Sequence, residues 1–330
     1  MTHLAIIGAG SWGTALAIVL APRYDEIRLW VNEPELCAAI AGTRENTAFL
    51  PGFAIPGHVT VTSSLGDAVE GAQVVMGVIP SKYARRVYTE LAPAAREDMI
   101  FVSATKGIEQ GTLLRMSELM REVIGPAARV AVLSGPTFAK EVARGEPTAV
   151  VISSCDIELA RRIQREFSGP TLRLYTNSDP IGVEIGAALK NVIAIAAGVC
   201  AGLGLGHNVA AALITRGLAE LSRLACAMGA NPLTLAGLAG LGDLVLTCTG
   251  ELSRNRSVGI ELARGRSADE IVESMTMVAE GVDTAAAALE LARRYNTRLP
   301  ITEQMDLILR GQRSPREAIR ELMERTLRDE

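Results

Sequence analysis

Aromatic residues are scarce in this chain of 330 residues, at 4% of positions, although 48% of the chain is hydrophobic. The core must therefore be built from Ala, Val, Leu and Ile. Cysteine is also sparse. Cys37, Cys155, Cys200, Cys226 and Cys248 are odd in number, widely scattered, and form no CxxC or Cys/His cluster. That pattern argues against a disulfide framework and a zinc site, calls for no metal, and fits a reducing, cytoplasmic compartment. Neither sign of charge dominates: 33 basic and 37 acidic residues give a net charge of −4. The absent basic stripe excludes a nucleic-acid partner as the expected reading. A small anionic ligand needs only a few local cations and stays open. Long apolar runs are also missing. Val192 to Leu205 is uncharged but short for a bilayer span and broken by Gly198, Gly202 and Gly204, so no membrane insertion is expected. The first residues run almost directly into a strand-like segment, which leaves no room for a leader peptide.

What the chain does contain is an alternation. HLAII, EIRLWV, AQVVMGVIP, MIFVSATKG, ARVAVLSGP, TAVVISS and TLRLYT are short apolar runs that read as strands. Helical patterns such as Ala84–Leu91 and Leu113–Val123 lie between them. Strands alternating with helices predict a parallel, doubly wound sheet. After residue 178 the pattern changes, and segments 181–201, 208–229, 255–265, 267–274, 281–296, 301–310 and 315–328 all read as helices. Asp179-Pro180 is a helix start, with Asp as cap and Pro in the first turn, and Ser314-Pro-Arg-Glu317 is a capping box. The expected architecture is an N-terminal Rossmann-like α/β domain over residues 1–178 and an all-α C-terminal domain over 179–330. At this length two ordinary domains are reasonable.

Gly8-Ala9-Gly10-Ser11-Trp12-Gly13 follows the first strand pattern directly and precedes helix-like TALAIVLA. In that context GxGxxG predicts a dinucleotide site. Gly8 makes the tight turn, Gly10 lets a pyrophosphate approach the backbone, and Gly13 allows close helix–strand packing. The helix N-terminus adds free N–H groups and a positive dipole end. After the second strand stand Asn32 and Glu33, near where an acidic residue often holds the ribose 2′-OH of NAD. Asn32 would not repel a 2′-phosphate, Glu33 could favour NAD, and Arg44 is a distant candidate cation. NAD and NADP both remain open.

Two lone charges mark the chemistry. Lys190 is the only charged residue between Ile185 and Gly206, and Asp243 the only one from Asn231 to Gly250. A buried unpaired ammonium is costly and its pKa is pushed down, towards the range where it exchanges protons near neutrality. The plain alternatives are a lysine that snorkels to the surface and an aspartate that caps a helix. Lys106 follows one strand, and Gly135 and Thr137 follow another, where doubly wound sheets bind ligands. Ser253-Arg254-Asn255-Arg256 precedes a helical segment, which suits a phosphate.

The segments GAGSWGTALA, SATKGIE, LSGPTFAKE, ALKNVIAI, LITRGLAE, GLGDLVLTCT, SRNR and PITE, in this order, resemble those of the bacterial NAD(P)-dependent glycerol-3-phosphate dehydrogenases. The resemblance covers nearly the whole chain. It implies interconversion of dihydroxyacetone phosphate and sn-glycerol 3-phosphate with NAD(P)H, a role in phospholipid synthesis, and a homodimer. It makes Lys190 the proton donor and acceptor and places Lys106 where substrate and nicotinamide meet. Gly135, Thr137, Asp243, Ser253, Arg254 and Asn255 match substrate positions. Ser11, Trp12, Ala139, Arg254, Val278 and Glu280 match cofactor positions. Many relatives carry His or a basic residue after the second strand, where this chain has Val31-Asn32-Glu33, a departure that bears on the family's usual NADP preference. A histidine-based hydroxyacid dehydrogenase would need His207, a lone histidine. A 6-phosphogluconate- or hydroxyacyl-type dehydrogenase would share the two-part plan but not SRNR or GPTFAKE. A non-enzymatic dinucleotide sensor would need neither Lys190 nor SRNR.

Overall fold

The structure is a computed structural model that describes residues 2–325. Its first part runs β1 (His3–Ile7), α1 (Ser11–Leu20), β2 (Glu26–Trp30), α2 (Pro34–Thr43), β3 (Glu45–Asn46), β4 (Leu50–Ala54), β5 (Val59–Thr62), α3 (Leu65–Val69), β6 (Val74–Gly77), α4 (Ser81–Leu91), β7 (Ile100–Ser103), α5 (Met116–Ile124), β8 (Arg129–Ser134), α6 (Ala139–Ala143), β9 (Thr148–Ser153), α7 (Ile157–Phe167) and β10 (Leu172–Asn177). Eight of these strands form one sheet in the order β10-β9-β8-β7-β6-β1-β2-β5, with β3 and β4 forming a separate hairpin. The central strands β1, β6 and β7 are buried throughout, as their continuous apolar runs require. Side chains alternate between the two faces. Leu4 and Ile6 pack with Leu16 of α1 and Phe167 of α7, whereas Ala5 and Ile7 pack with Val87 of α4 and Leu119 of α5.

The sheet departs from the expected all-parallel pattern at one point. β8 and β9 pair antiparallel, with Val132 opposite Ser153 and Ser134 opposite Val151. A parallel return needs a crossover long enough to span the sheet. The only helix in this connection is the five-residue α6, which is too short, so the chain turns back at the end where β8 finished. Elements α2, β3, β4, β5 and α3 were not expected from the sequence, since residues 33–72 carry no long apolar run.

The second part is helical: α8 (Pro180–Gly202), α9 (His207–Ala227), α10 (Pro232–Leu235), a π-helical turn (Leu238–Gly242), α11 (Asp243–Thr249), α12 (Arg254–Ala263), α13 (Ala268–Glu273), α14 (Glu280–Arg294), α15 (Pro300–Leu309) and α16 (Pro315–Met323). The expected helix over 315–328 runs past the described residues. Asp179 caps α8 through Gly182 N–H, and Ser314 with Glu317 forms the capping box of α16. α10, the π turn and α11 lie where the sequence pattern predicts no helix. By length and composition, Pro180–Gly202 and Pro232–Thr249 could each cross a membrane. α8, however, is buried against α9, α11, α12 and α14 as the centre of the helical core.

Two glycines explain how α12 approaches α8. A Cβ on Gly198 would lie 2.0 Å from the Arg256 carbonyl oxygen, and one on Gly259 would lie 2.0 Å from that of Ile195. Only glycine permits this backbone contact, which brings the N-terminus of α12 beside Lys190 and Asn191. The helical half is fixed to the sheet by Val183 and Ala239 packed on Val132 and Val151. Buried Glu184 of α8 adds a polar joint. It accepts from Ser117 N–H and Oγ, each at 2.7 Å, and pairs with Arg115.

Candidate active site

A cleft of about 740 Å³ runs from the glycine turn to Lys190, between the sheet and the helical half. The turn has the geometry a dinucleotide needs. Gly8 has φ +118°, and a Cβ there would meet the Val78 carbonyl oxygen at 2.6 Å. A Cβ on Gly13 would lie 1.9 Å from the Gly8 carbonyl oxygen, whereas one on Gly10 would meet nothing. Gly10 therefore opens to the cleft, at the N-cap of α1, where no side chain satisfies the first amides. Those amides suit a pyrophosphate. Ser11 and Trp12 line the cleft, and Trp12 Nε1 is buried without a partner. Asn46 holds the turn from the β3 side. Its Nδ2 donates to the Ala9 carbonyl (2.7 Å) and to Thr14 Oγ1 (2.9 Å). No sequence signal marked that asparagine. The residues present thus fit a nicotinamide dinucleotide.

At the far end β7 delivers Lys106, β8 delivers Gly135 and Thr137, α8 delivers Lys190, and α11 delivers Asp243. One carboxylate joins both lysines. Lys190 Nζ donates to Asp243 Oδ1 (2.6 Å) and Lys106 Nζ to Asp243 Oδ2 (2.7 Å). Lys106 also donates to the Gly135 carbonyl (3.0 Å) and to Thr137 Oγ1 (3.3 Å). Lys190 donates to Thr247 Oγ1 (2.7 Å), whose hydroxyl donates to the Asp243 carbonyl (2.6 Å). An ammonium has three donors. Lys106 spends all three on protein, but Lys190 spends two and keeps one for a ligand. Lys190 is 5% exposed and Asp243 1%. Burial lowers the Lys190 pKa to about 8; Asp243 opposes the shift and Lys106 adds to it. Thr247 was missed from the sequence, although it follows Asp243 by four residues and so shares its helix face.

Asp243 is not a helix cap but the first residue of α11, turned inward. Gly135 and Asp243 stand behind the cleft wall, while Lys106, Thr137, Ala139 and Lys190 form it. Ser253, Arg254 and Asn255 also line the cleft, at the start of α12. Ser253 Oγ caps that helix by accepting from Arg256 N–H (3.2 Å). Asn255 donates to Asn191 Oδ1 (3.0 Å) and accepts from Gly281 N–H (2.9 Å), tying α8, α12 and α14 together. Arg254 donates to the Val278 carbonyl (2.8 Å). Glu280 accepts from Ser81 N–H (3.1 Å) and Ser81 Oγ (2.6 Å), which fastens α14 to the first turn of α4.

Asn32 and Glu33 line the opposite end of the cleft. Arg44 is spent elsewhere: it donates to the carbonyls of Ile55, Pro56 and Val59 and is not left to hold a 2′-phosphate. His207 is exposed at the start of α9 and takes no part in the cleft, which removes the histidine-based reading.

A Rossmann-type sheet whose glycine turn faces a lysine–aspartate–lysine cluster from a helical half defines a two-part nicotinamide-dependent oxidoreductase. Models of the NAD-dependent glycerol-3-phosphate dehydrogenase N-terminus and C-terminus match residues 3–160 and 179–320. The chain belongs to this family. It is 57% identical over 329 residues to a glycerol-3-phosphate dehydrogenase [NAD(P)+] of Koribacter versatilis, covering 98% of each chain. It is 53% identical over 324 residues to that of Geobacter metallireducens, covering 98% of this chain and 97% of the other. Among solved structures, glycerol-3-phosphate dehydrogenase from Coxiella burnetii superposes with a TM-score of 0.94 at 38% identity, covering 98% of this chain and 99% of that one.

Proposed function

We propose that this chain interconverts dihydroxyacetone phosphate and sn-glycerol 3-phosphate, using NAD(P)H, and supplies the glycerol 3-phosphate from which phospholipids are made. The observation that carries the proposal is the buried Lys190 with one free donor, held by Asp243 and Thr247 at the end of a dinucleotide cleft.

When bound, a reduced nicotinamide would supply the hydride for C2 of the ketone. Negative charge then develops on the C2 oxygen, where a cation and a proton are needed. Lys190 gives that oxygen a proton from its ammonium and is left as a neutral amine, which solvent reprotonates. In the reverse direction the amine removes the hydroxyl proton. Asp243 holds Lys190 in place and offsets its charge, and Lys106, with Gly135 and Thr137, keeps a second positive charge beside the reacting oxygen. Ser253, Arg254 and Asn255 form the phosphate end. Only Arg254 there offers a planar charged fork, and anchoring the phosphate fixes the orientation of C2. Gly8, Gly10, Ser11, Trp12, Gly13, Asn32, Lys106, Ala139, Arg254, Val278 and Glu280 form the dinucleotide side. Residues 1–178 act as the dinucleotide domain and 179–330 as the substrate domain.

The direct test follows NADH and NADPH oxidation with dihydroxyacetone phosphate. Absence of turnover with both, from folded protein, rejects the assignment. Arg254→Ala is expected to raise KM for the phosphate substrate by about 10- to 100-fold, with a smaller effect on kcat, since a charge-assisted contact is worth roughly 1.5–3 kcal/mol. An unchanged substrate dependence would contradict the role of Arg254.

The protein is further proposed to act in the cytoplasm as a homodimer, with neither nucleic acid nor membrane as partner. Leu205 and Val209 near the start of α9, Leu241 in the π turn and Val245 in α11 are exposed apolar side chains that a second copy could cover. A monomeric mass by light scattering would overturn that part.

A further inference from the structure

We propose that Arg86, reaching from α4, receives the 2′-phosphate of NADP(H), so that this chain favours NADPH although it lacks a basic residue directly after β2. The inference rests on the dinucleotide reading of the cleft and deepens it. Gly8 N–H donates to the Trp30 carbonyl at 3.2 Å, which sets the end of β2 against the glycine turn. That is the adenosine end of such a site, where an acidic side chain would hold the ribose 2′-OH and repel a phosphate. Here the position is the neutral Asn32. Its Oδ1 accepts from Arg86 (3.1 Å), and its Nδ2 donates to Glu33 Oε1 (3.1 Å).

The neighbouring arginines are committed, and Arg86 is not. Arg85 is paired with Glu109 and Glu122 at 2.8 Å, and Arg44 is bonded to three backbone carbonyls. Among the described residues, no carboxylate lies within ion-pair distance of Arg86, whose one hydrogen bond goes to an amide. Its guanidinium has five N–H donors, so a fork remains for phosphate oxygens. Arg86, Asn32 and Glu33 all line the cleft. Asn32 stands between the guanidinium and the Glu33 carboxylate and keeps them from forming a pair. Glu33 is left able to accept from the ribose hydroxyl of NAD, so both cofactors bind and Arg86 tips the balance towards NADPH.

The test is direct nucleotide binding, read from quenching of the chain's two tryptophans, Trp12 and Trp30, both of which line the cleft. Wild-type protein should bind NADPH more tightly than NADH, and the difference should shrink as salt screens the exposed guanidinium. Arg86→Ala should weaken NADPH binding by about tenfold and leave NADH within about twofold. Arg86→Lys, which keeps the charge but loses the fork, should fall between. Asn32→Asp should weaken NADPH more than NADH, by setting a like charge beside the phosphate. Equal effects of these changes on both nucleotides, or none on either, would overturn the proposal. A wild-type protein that binds neither nucleotide would instead reject the dinucleotide site itself, and this proposal with it.

Discussion

Replacing Lys190 by methionine is expected to lower kcat for dihydroxyacetone phosphate reduction by about 10²- to 10⁴-fold, the usual range for losing a general acid. Methionine has similar length and suits the apolar wall of α8, so the cavity stays filled. Asp243 keeps Lys106 as a partner at 2.7 Å, and no buried carboxylate is stranded. The helix should therefore remain folded, and NADPH should still quench Trp12 and Trp30. A large loss of kcat with retained nucleotide binding separates chemistry from collapse of the site. Turnover within about tenfold of wild type would move the acid role to another group, with Lys106 next in line.

Asp243→Asn should have the second largest effect, for a different reason. The carboxylate is the counter-charge to two ammonium groups, and the amide leaves them facing each other in a buried site. Removing one partner of a buried ion pair typically costs about 3–5 kcal/mol. Part of that cost is avoided if Lys190 releases its proton, so its pKa should fall below the present value of about 8. Two readouts follow. The limb where reduction fails should move to lower pH, and kcat at neutral pH should drop at least about tenfold. Unfolding by denaturant should show a larger stability loss at about pH 6, where the wild-type Lys190 carries its charge against Asp243, than at about pH 9, where Lys190 is already neutral and less is lost with the carboxylate. A variant with an unmoved pH limb would mean that Asp243 does not govern Lys190.

Much of this site was legible in the sequence, because its residues break local rules. Lys190 interrupts a run of small apolar residues, Asp243 interrupts another, and the glycine turn lies between a strand pattern and a helix pattern. Such exceptions stand out without any knowledge of tertiary structure. What the sequence withheld was pairing. Nothing local says that one carboxylate serves both Lys106 and Lys190, which lie 137 and 53 residues from it. Ser253 and Asn255 looked like free ligands because caps and interhelix clamps are invisible until helices are placed. The antiparallel turn at β9 was hidden for a related reason. TAVVISS reads the same in either direction, and only the shortness of α6 decides the return path. Arg44 illustrates the converse error, since a basic residue near β2 is drawn to backbone carbonyls by a fold that its own sequence does not reveal. The charge pair of Glu184 with Arg115, which fastens the two halves together, likewise carried no local mark.

The assignment of Lys190 is tested most directly by the pH dependence of kcat/KM in both directions, measured on wild-type protein between about pH 6 and 10. Reduction requires the ammonium and oxidation requires the amine. In the free protein Lys190 titrates at about 8, lowered by burial. Reduction should be level below that pH and fall about tenfold per unit above it, and oxidation should rise by the same factor until it levels off there. Mirror-image profiles crossing near one shared pKa, both lost in Lys190→Met, are the expected result. Profiles that run parallel, or that stay flat through this range in both directions, would contradict Lys190 as the group that gives and takes the proton.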